Sequence, residues 1–150
     1  MEFNYAYPVK ASADRLWEFV KDVPTVGSCI PGASDIREEP DGSYLGTVKV
    51  RVGPISLSLN GKLSVEALGA DARTISMTGE GADTRVPGNV RVKISMAVHE
   101  QGPDSSELVV VSDANIMGKL GEFGQGLIKR KADGIMKDFG KNLTKRVEQG

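Results

Sequence analysis

From Ser34 to Ile116 the chain is organised by a period of two. Tyr44, Val48, Val50 and Val52 alternate with Leu45, Thr47, Lys49 and Arg51. After Gly53-Pro54, the residues Ile55, Leu57, Leu59, Leu63, Val65 and Ala67 alternate with Ser56, Ser58, Asn60, Lys62, Ser64 and Glu66. Val90, Val92, Ile94, Met96 and Val98 do the same against Asn89, Arg91, Lys93 and Ser95. Alternation sustained over this length dictates an antiparallel sheet with one covered face and one wet face. Turn signals divide it. Asp41-Gly42 joins strands near Ser34–Glu39 and Ser43–Val52. Gly69–Ala72 leads into a strand carrying Ile75 and Met77, and Pro87-Gly88 precedes the strand of Val90. Gln101–Ser105 turns into a last strand, Leu108–Ile116. With a first strand over Glu2–Val9, seven strands are expected.

The flanks are helical. Ser12 is a candidate N-cap, with Asp14 in the first turn and Leu16, Phe19 and Val20 on one face. That helix must stop before Pro24, which disfavours helical geometry at Val23. A second short helix or turn covers Thr25–Ile30 and ends at Pro31-Gly32. Beyond the sheet, Leu120, Phe123, Leu127, Ile128, Ile135, Met136, Phe139, Leu143 and Val147 form one apolar stripe with lysines opposite. A helix from Gly118 to Val147 would contain 30 residues and run about 45 Å. Only this element can cover the apolar face of the sheet. The expected fold is therefore α+β, one domain over residues 1–150: a curved seven-stranded antiparallel sheet gripping a long C-terminal helix, with two short helices after strand 1.

Composition removes several function classes. The chain has 150 residues, 39% hydrophobic and 26% charged, as a globular domain does. One cysteine, Cys29, and one histidine, His99, exclude an internal disulfide and multi-cysteine or multi-histidine metal sites. No apolar run approaches the length of a transmembrane helix. The N-terminus lacks a basic segment followed by an apolar one, so the cytoplasm is the expected compartment. A net charge of −1 and 5% aromatics argue against nucleic-acid binding. The charge is uneven: Met117–Gly150 carries eight bases and four acids, net +4, and the remainder eleven bases and sixteen acids, net −5. A basic C-terminal segment suits anionic headgroups or an acidic partner. It equally suits a solvated helix face whose lysines complement the helix dipole.

Five glycines, Gly46, Gly61, Gly79, Gly81 and Gly88, share the inward parity of their strands. Each withholds a side chain where an aliphatic one is expected. Together they can leave a void between helix and sheet, lined by Val48, Val50, Leu57, Leu59, Gly61, Leu63, Met77, Gly79, Val92, Ile94 and Met96 from the sheet. Leu120, Phe123 and Leu127 would close it from the helix. Glycine is also what a strongly bent sheet needs at bulges and corners. A lipid-like ligand burying about 400 Å² there would gain ~10 kcal/mol before ordering costs. Gly118-Lys-Leu-Gly121-Glu-Phe-Gly124-Gln-Gly126 superficially resembles a phosphate loop but does not match a dinucleotide fingerprint, and no βαβ unit surrounds it. His99 reads as a surface residue and Cys29 as a packed small hydrophobe. Arg73, Asp83, Thr84 and Arg85 are candidates for a pocket rim. No catalytic or metal-binding constellation emerges, and no tightly bound cofactor is expected.

Three stretches carry a resemblance. They are Cys29-Ile30-Pro31-Gly32-Ala33, the run from Tyr44 through Gly46, Val48, Val50 and Val52 to Gly53-Pro54-Ile55, and Gly118-Lys-Leu-Gly121-Glu-Phe-Gly124. In this order they resemble the G-subunit family of carbon monoxide dehydrogenase, within the START and pollen-allergen helix-grip superfamily. The resemblance implies a sheet wrapped round a long helix over an apolar cavity. It also implies association with molybdenum hydroxylases of the carbon monoxide dehydrogenase type. Members are thought to dock such enzymes at the inner face of the cytoplasmic membrane or to carry a quinone for them. Many longer members continue to an apolar anchor, whereas this sequence ends at Gly150, so a carrier role is expected in preference to direct anchoring. The family supplies no catalytic residues. The expected ligand is a quinone or lipid. The alternatives are a cyclase or hydrolase of the same fold acting on a bulky apolar substrate, with Arg73 and Thr84 as its candidate polar groups, and an interaction module without a ligand.

Overall fold

The computed structural model describes residues 1–150. Chain order is β1 (Glu2–Val9), α1 (Ala13–Val20), α2 (Val23–Gly27), β2 (Ala33–Glu38), β3 (Tyr44–Val52), β4 (Ile55–Gly69), β5 (Thr74–Asp83), β6 (Gly88–Gly102), β7 (Ser105–Gly118), a 3₁₀ turn (Lys119–Phe123) and α3 (Gln125–Gln149). The seven strands form one antiparallel sheet in the order β1-β7-β6-β5-β4-β3-β2. The meander from β2 to β7 follows the period of two, and β1 adds at the far edge beside β7. This is the helix-grip fold.

Local chemistry explains the helix ends. Ser12 caps α1 by accepting from the amide of Arg15 at 3.2 Å. Asp22 caps α2 in the same way, and Pro24 lies within its first turn, where proline's missing N–H costs nothing. The proline that ends the possibility of extending α1 thus opens the next helix, two residues earlier than the expected Thr25.

The terminal helix departs more from expectation. In place of one helix from Gly118, the chain makes a 3₁₀ turn over Lys119–Phe123 and starts α3 only at Gln125. Gly118 and Gly124 adopt φ of 72° and 88°, the latter with ψ of 144°, a conformation essentially reserved for glycine. Helical side-chain spacing persists through this stretch, but the glycines lower helix propensity enough for the backbone to break there. The break lets Leu120 sink below the sheet end, where it is 3% exposed. A second difference is a bulge between Val65 and Ala67 in β4. It reverses the parity, so that Ala67 pairs with outward Ser76 and Leu68 with inward Ile75.

The interior is divided. A larger cluster gathers Leu16, Trp17 and Val20 of α1, Ile75, Met96, Leu108 and Val110 of the sheet, and Phe139, Leu143 and Val147 of α3. A smaller one joins Val52, Leu57 and Leu120, flanked by Val50, Leu59, Val90, Ile116, Phe123 and Leu127. Helix α3 is fastened along β1. The Tyr5 hydroxyl donates to Asp133 at 2.7 Å and the Tyr7 hydroxyl to the Met136 carbonyl at 2.8 Å. Phe3, Tyr5 and Tyr7 stack along the strand, and Tyr7 meets Phe139 edge-on at 5.8 Å. At the other flank Asn142 donates to the Cys29 carbonyl at 2.9 Å, and Arg146 lies over Phe19 and donates to Ser28.

Candidate functional site

Only the C-terminal half of α3 seals the sheet. Its buried residues are Phe139, Gly140, Leu143 and Val147. In the preceding half Leu127, Ile128, Ala132, Ile135 and Met136 are half-buried. The facing strands behave alike. Val48, Val50, Leu59, Leu63, Val92 and Ile94 all point inward by register, yet each is only half-buried. Two aliphatic surfaces therefore face each other between one packed cluster and the other, and each keeps partial access to water. The α3 backbone runs close to β1 and β3, which grip it on either side, and less close to the strands between.

The fourteen residues expected to line a void distribute over this arrangement. Val48, Val50, Leu59, Gly61, Leu63, Val92, Ile94, Phe123 and Leu127 are half-buried on the facing surfaces, Leu63 and Ile94 against the larger packed cluster and Val50, Leu59, Phe123 and Leu127 against the smaller. Leu57 and Leu120 belong to the smaller packed cluster, and Met77 and Met96 to the larger. Gly79 is buried, and its bare Cα is filled over by Val92 and Leu63, whose carbons would sit 3.1 and 3.3 Å from an added Cβ. The glycines do not all open space. Ile36 fills over Gly46, with a carbon 3.2 Å from where a Cβ would stand. Gly88 takes φ of 128° where it pairs with Gly118. Gly46, Gly61 and Gly81 align across β3, β4 and β5, a row of bare positions where the sheet can fold on itself.

The polar candidates settle into structural roles. Asp83 points inward at the end of β5 with its side chain 1% exposed. It accepts from the amides of Ser58 at 2.7 Å, Arg85 at 2.7 Å and Val86 at 3.0 Å. Those bonds hold its carboxyl below the usual carboxylate range. Arg73, in a left-handed conformation with φ of 53°, reaches back to Asp14 at 2.6 Å and ties the β4–β5 hairpin to the start of α1. Thr84 is exposed. His99 is exposed beside Glu107 of the neighbouring strand. The Cys29 thiol is buried, which pushes its pKa up, while Arg146 at 3.7 Å works in the opposite direction. It packs as a small hydrophobe.

Strand parity gives no direct sign of a further feature on the outer face. A depression of about 450 Å³ lies there, floored by Gly46, Gly61 and Gly81 and walled by outward side chains that include Arg37, Lys62, Glu80 and Arg91. Charged residues at outward positions read from sequence as a solvated face. The signal available was the alignment of three inward glycines, which creases the sheet behind them.

The family model for the carbon monoxide dehydrogenase G-subunit (CoxG) matches residues 6–148. The chain belongs to the CoxG family. Among curated proteins no sequence match is found. Solved structures show how far the fold of this CoxG-family chain is shared. A conserved protein from Geobacillus kaustophilus is similar with a TM-score of 0.87 at 16% identity, over 99% of this chain and 96% of that one. The Zhui aromatase/cyclase from Streptomyces sp. R1128 has a TM-score of 0.72 at 15% identity, over 99% and 94%. A START superfamily protein from Mycobacterium smegmatis has a TM-score of 0.65 at 20% identity, over 99% and 97%. At these identities the likeness establishes the fold. No helix of this CoxG-family chain is long and apolar enough to cross a membrane.

Proposed function

We propose that the chain holds a lipophilic small molecule, a quinone or a lipid, between α3 and the centre of the sheet without transforming it. In this reading it serves a molybdenum hydroxylase of the carbon monoxide dehydrogenase type. The observation that carries the proposal is the pair of opposed, half-buried aliphatic faces. A helix packed to seal its sheet would bury Val48, Leu59, Val92 and Ile94 against Leu127, Ile128 and Ile135, and here all seven retain access to water. Aliphatic surface left wet is unfavourable by about 25 cal/mol per Å², so a guest that covers both walls gains more than a polar one. Family membership supports the link to the oxidoreductase, and an aromatase/cyclase among the fold's neighbours supports a bulky apolar guest. A binding role in place of catalysis is supported by the inward polar groups, since Asp83 is occupied by three backbone amides and Ser106 by the Ala11 carbonyl. Exposed Lys137, Lys141 and Lys145 on α3 suit a peripheral contact with anionic lipid on the cytoplasmic side, where such a guest is exchanged.

Organic extraction and native mass spectrometry of the purified protein should reveal a co-purifying quinone or lipid. Thermal melts with a series of short-chain ubiquinone and menaquinone analogues and oleate should show stabilisation, since a guest of the folded form alone must stabilise it. No co-purifying molecule, together with no shift for any of the series, overturns the proposal.

A further inference from the structure

The outer face of the sheet, which the lipophilic guest does not touch, is chemically unlike the rest of the protein. The glycine-floored depression crosses the sheet from β2 to β6, and a second one of about 380 Å³ lies further along β3 and β4, beside their hairpin. Between them the two are lined by six bases, Arg37, Lys49, Arg51, Lys62, Arg85 and Arg91, and by one acid, Glu80. Outside the terminal segment the chain carries a net charge of −5, so this concentration of bases on one face opposes the overall balance. Lys49, Arg51 and Arg91 have no carboxylate within 4.0 Å, while Arg37 reaches Glu39 at 3.6 Å, Lys62 reaches Asp41 at 3.6 Å and Arg85 reaches Asp83 at 3.9 Å. The pairs of Arg37 and Lys62 are solvent-accessible, and such pairs are weak and exchange readily for better partners.

The geometry points to this groove as the docking site for an extended acidic segment of a partner protein. The first depression crosses five strands, from Arg37 on β2 to Arg91 on β6, a span of about 19 Å at ordinary strand spacing. An extended segment of about six residues covers that distance. Carboxylates along it would meet guanidinium groups, which accept them in two-point geometry. The floor selects between anions. The buried Oδ1 of Asn89, at the groove wall, has no hydrogen-bond partner. A phosphodiester presents acceptors only, whereas a peptide supplies the N–H that this oxygen lacks along with the carboxylates that the bases need. A bilayer surface is a poor occupant of a recessed crease, because its headgroups cannot follow the floor.

The test uses a fluorescein-labelled octaglutamate peptide and its octaglutamine counterpart, read by anisotropy at low salt. Octaglutamate should bind and octaglutamine should not. Arg91→Glu with Lys49→Glu should weaken binding at least tenfold, while Lys137→Glu with Lys141→Glu on α3 should leave it within twofold. Asn89→Ala, which changes no charge, should weaken the peptide severalfold and leave inorganic phosphate competition unchanged. Equal losses from the two double variants would reduce the effect to general electrostatics and overturn the proposal. So would an absence of peptide binding, or capture of phosphatidylserine vesicles through Arg91 and Lys49 in its place. Both double variants should keep their thermal response to quinone analogues, so failure here is separable from failure of the lipophilic site.

Discussion

At Gly140 the absence of a side chain decides how close helix and strand can come. An added Cβ would overlap the Tyr7 ring. The ring has little freedom to retreat, because its hydroxyl is bonded to Met136 and its edge lies on Phe139. Gly140→Ala gains up to about 1 kcal/mol of helix propensity, but overpacking costs about 1–3 kcal/mol. The net expectation is destabilisation by up to about 2–3 kcal/mol, measured as a lower urea midpoint at unchanged slope. A stabilised variant would mean that α3 does not lie on Tyr7 as described. Asp83 makes a different kind of contribution. Its carboxyl is held below the ordinary carboxylate range, near 3.9 for an unfolded aspartate. The stability it lends is therefore complete above that value and lost as pH falls through the depressed folded value. Asp83→Asn should lower the thermal midpoint at pH 7, and the gap to the parent should narrow below about pH 4. A gap independent of pH would show that the three amide bonds do not favour the ionised form.

Helix α3, as an element, is held to β1 by two phenols whose ionisation the fold resists. Burial pushes the Tyr7 phenol up to about 12, and burial with the Asp133 bond raises Tyr5 as well. Both phenols favour the protonated form in the folded state. Their contribution is complete below about pH 10, the ordinary tyrosine value, and disappears as pH rises through the raised folded values. The urea midpoint should therefore fall between about pH 10 and 12, and the Tyr5→Phe, Tyr7→Phe double variant should flatten that fall. Along α3 itself, burial changes at Phe139. Amides from 125 to 137 should exchange with deuterium faster than those from 139 to 147, and a bound lipophilic guest should slow the first group selectively. Uniform protection in the free protein would contradict a loosely covered first half. The strands, the Ser12 cap and the apolar stripe of α3 were legible because each rests on a local period or a single side chain. The break at Gly124 and the bulge after Val65 were not, since side-chain spacing survives a backbone interruption and a one-residue slip leaves no compositional mark.

For the molecule as a whole, sequence parity identified which faces oppose each other but not how far apart they stand. Separation depends on where β1 and β3 grip α3, and the Tyr7–Gly140 and Asn142–Cys29 contacts that set it join residues more than a hundred positions apart. The outer groove was hidden for a related reason, because the crease depends on three glycines meeting in register. The role of the two facing surfaces can be tested at residues that belong to neither packed cluster. Val48 and Ile135 are half-buried on opposite walls and pack against neither, so Val48→Thr and Ile135→Thr remove little packing from the free protein. Each loses apolar area that a guest would cover, about 1 kcal/mol per site for partial coverage of the side chain. Together they should weaken a quinone analogue by about tenfold to thirtyfold. In the parent, a guest at a hundred times its Kd adds about 2.7 kcal/mol, which for a domain of this size is about 5–11 °C. At that same concentration the double variant should keep about a third to a half of the shift while its ligand-free melt stays close to the parent's. A full shift in the double variant would place the guest away from these walls, and their partial exposure would then reflect only a helix that grips at its far end.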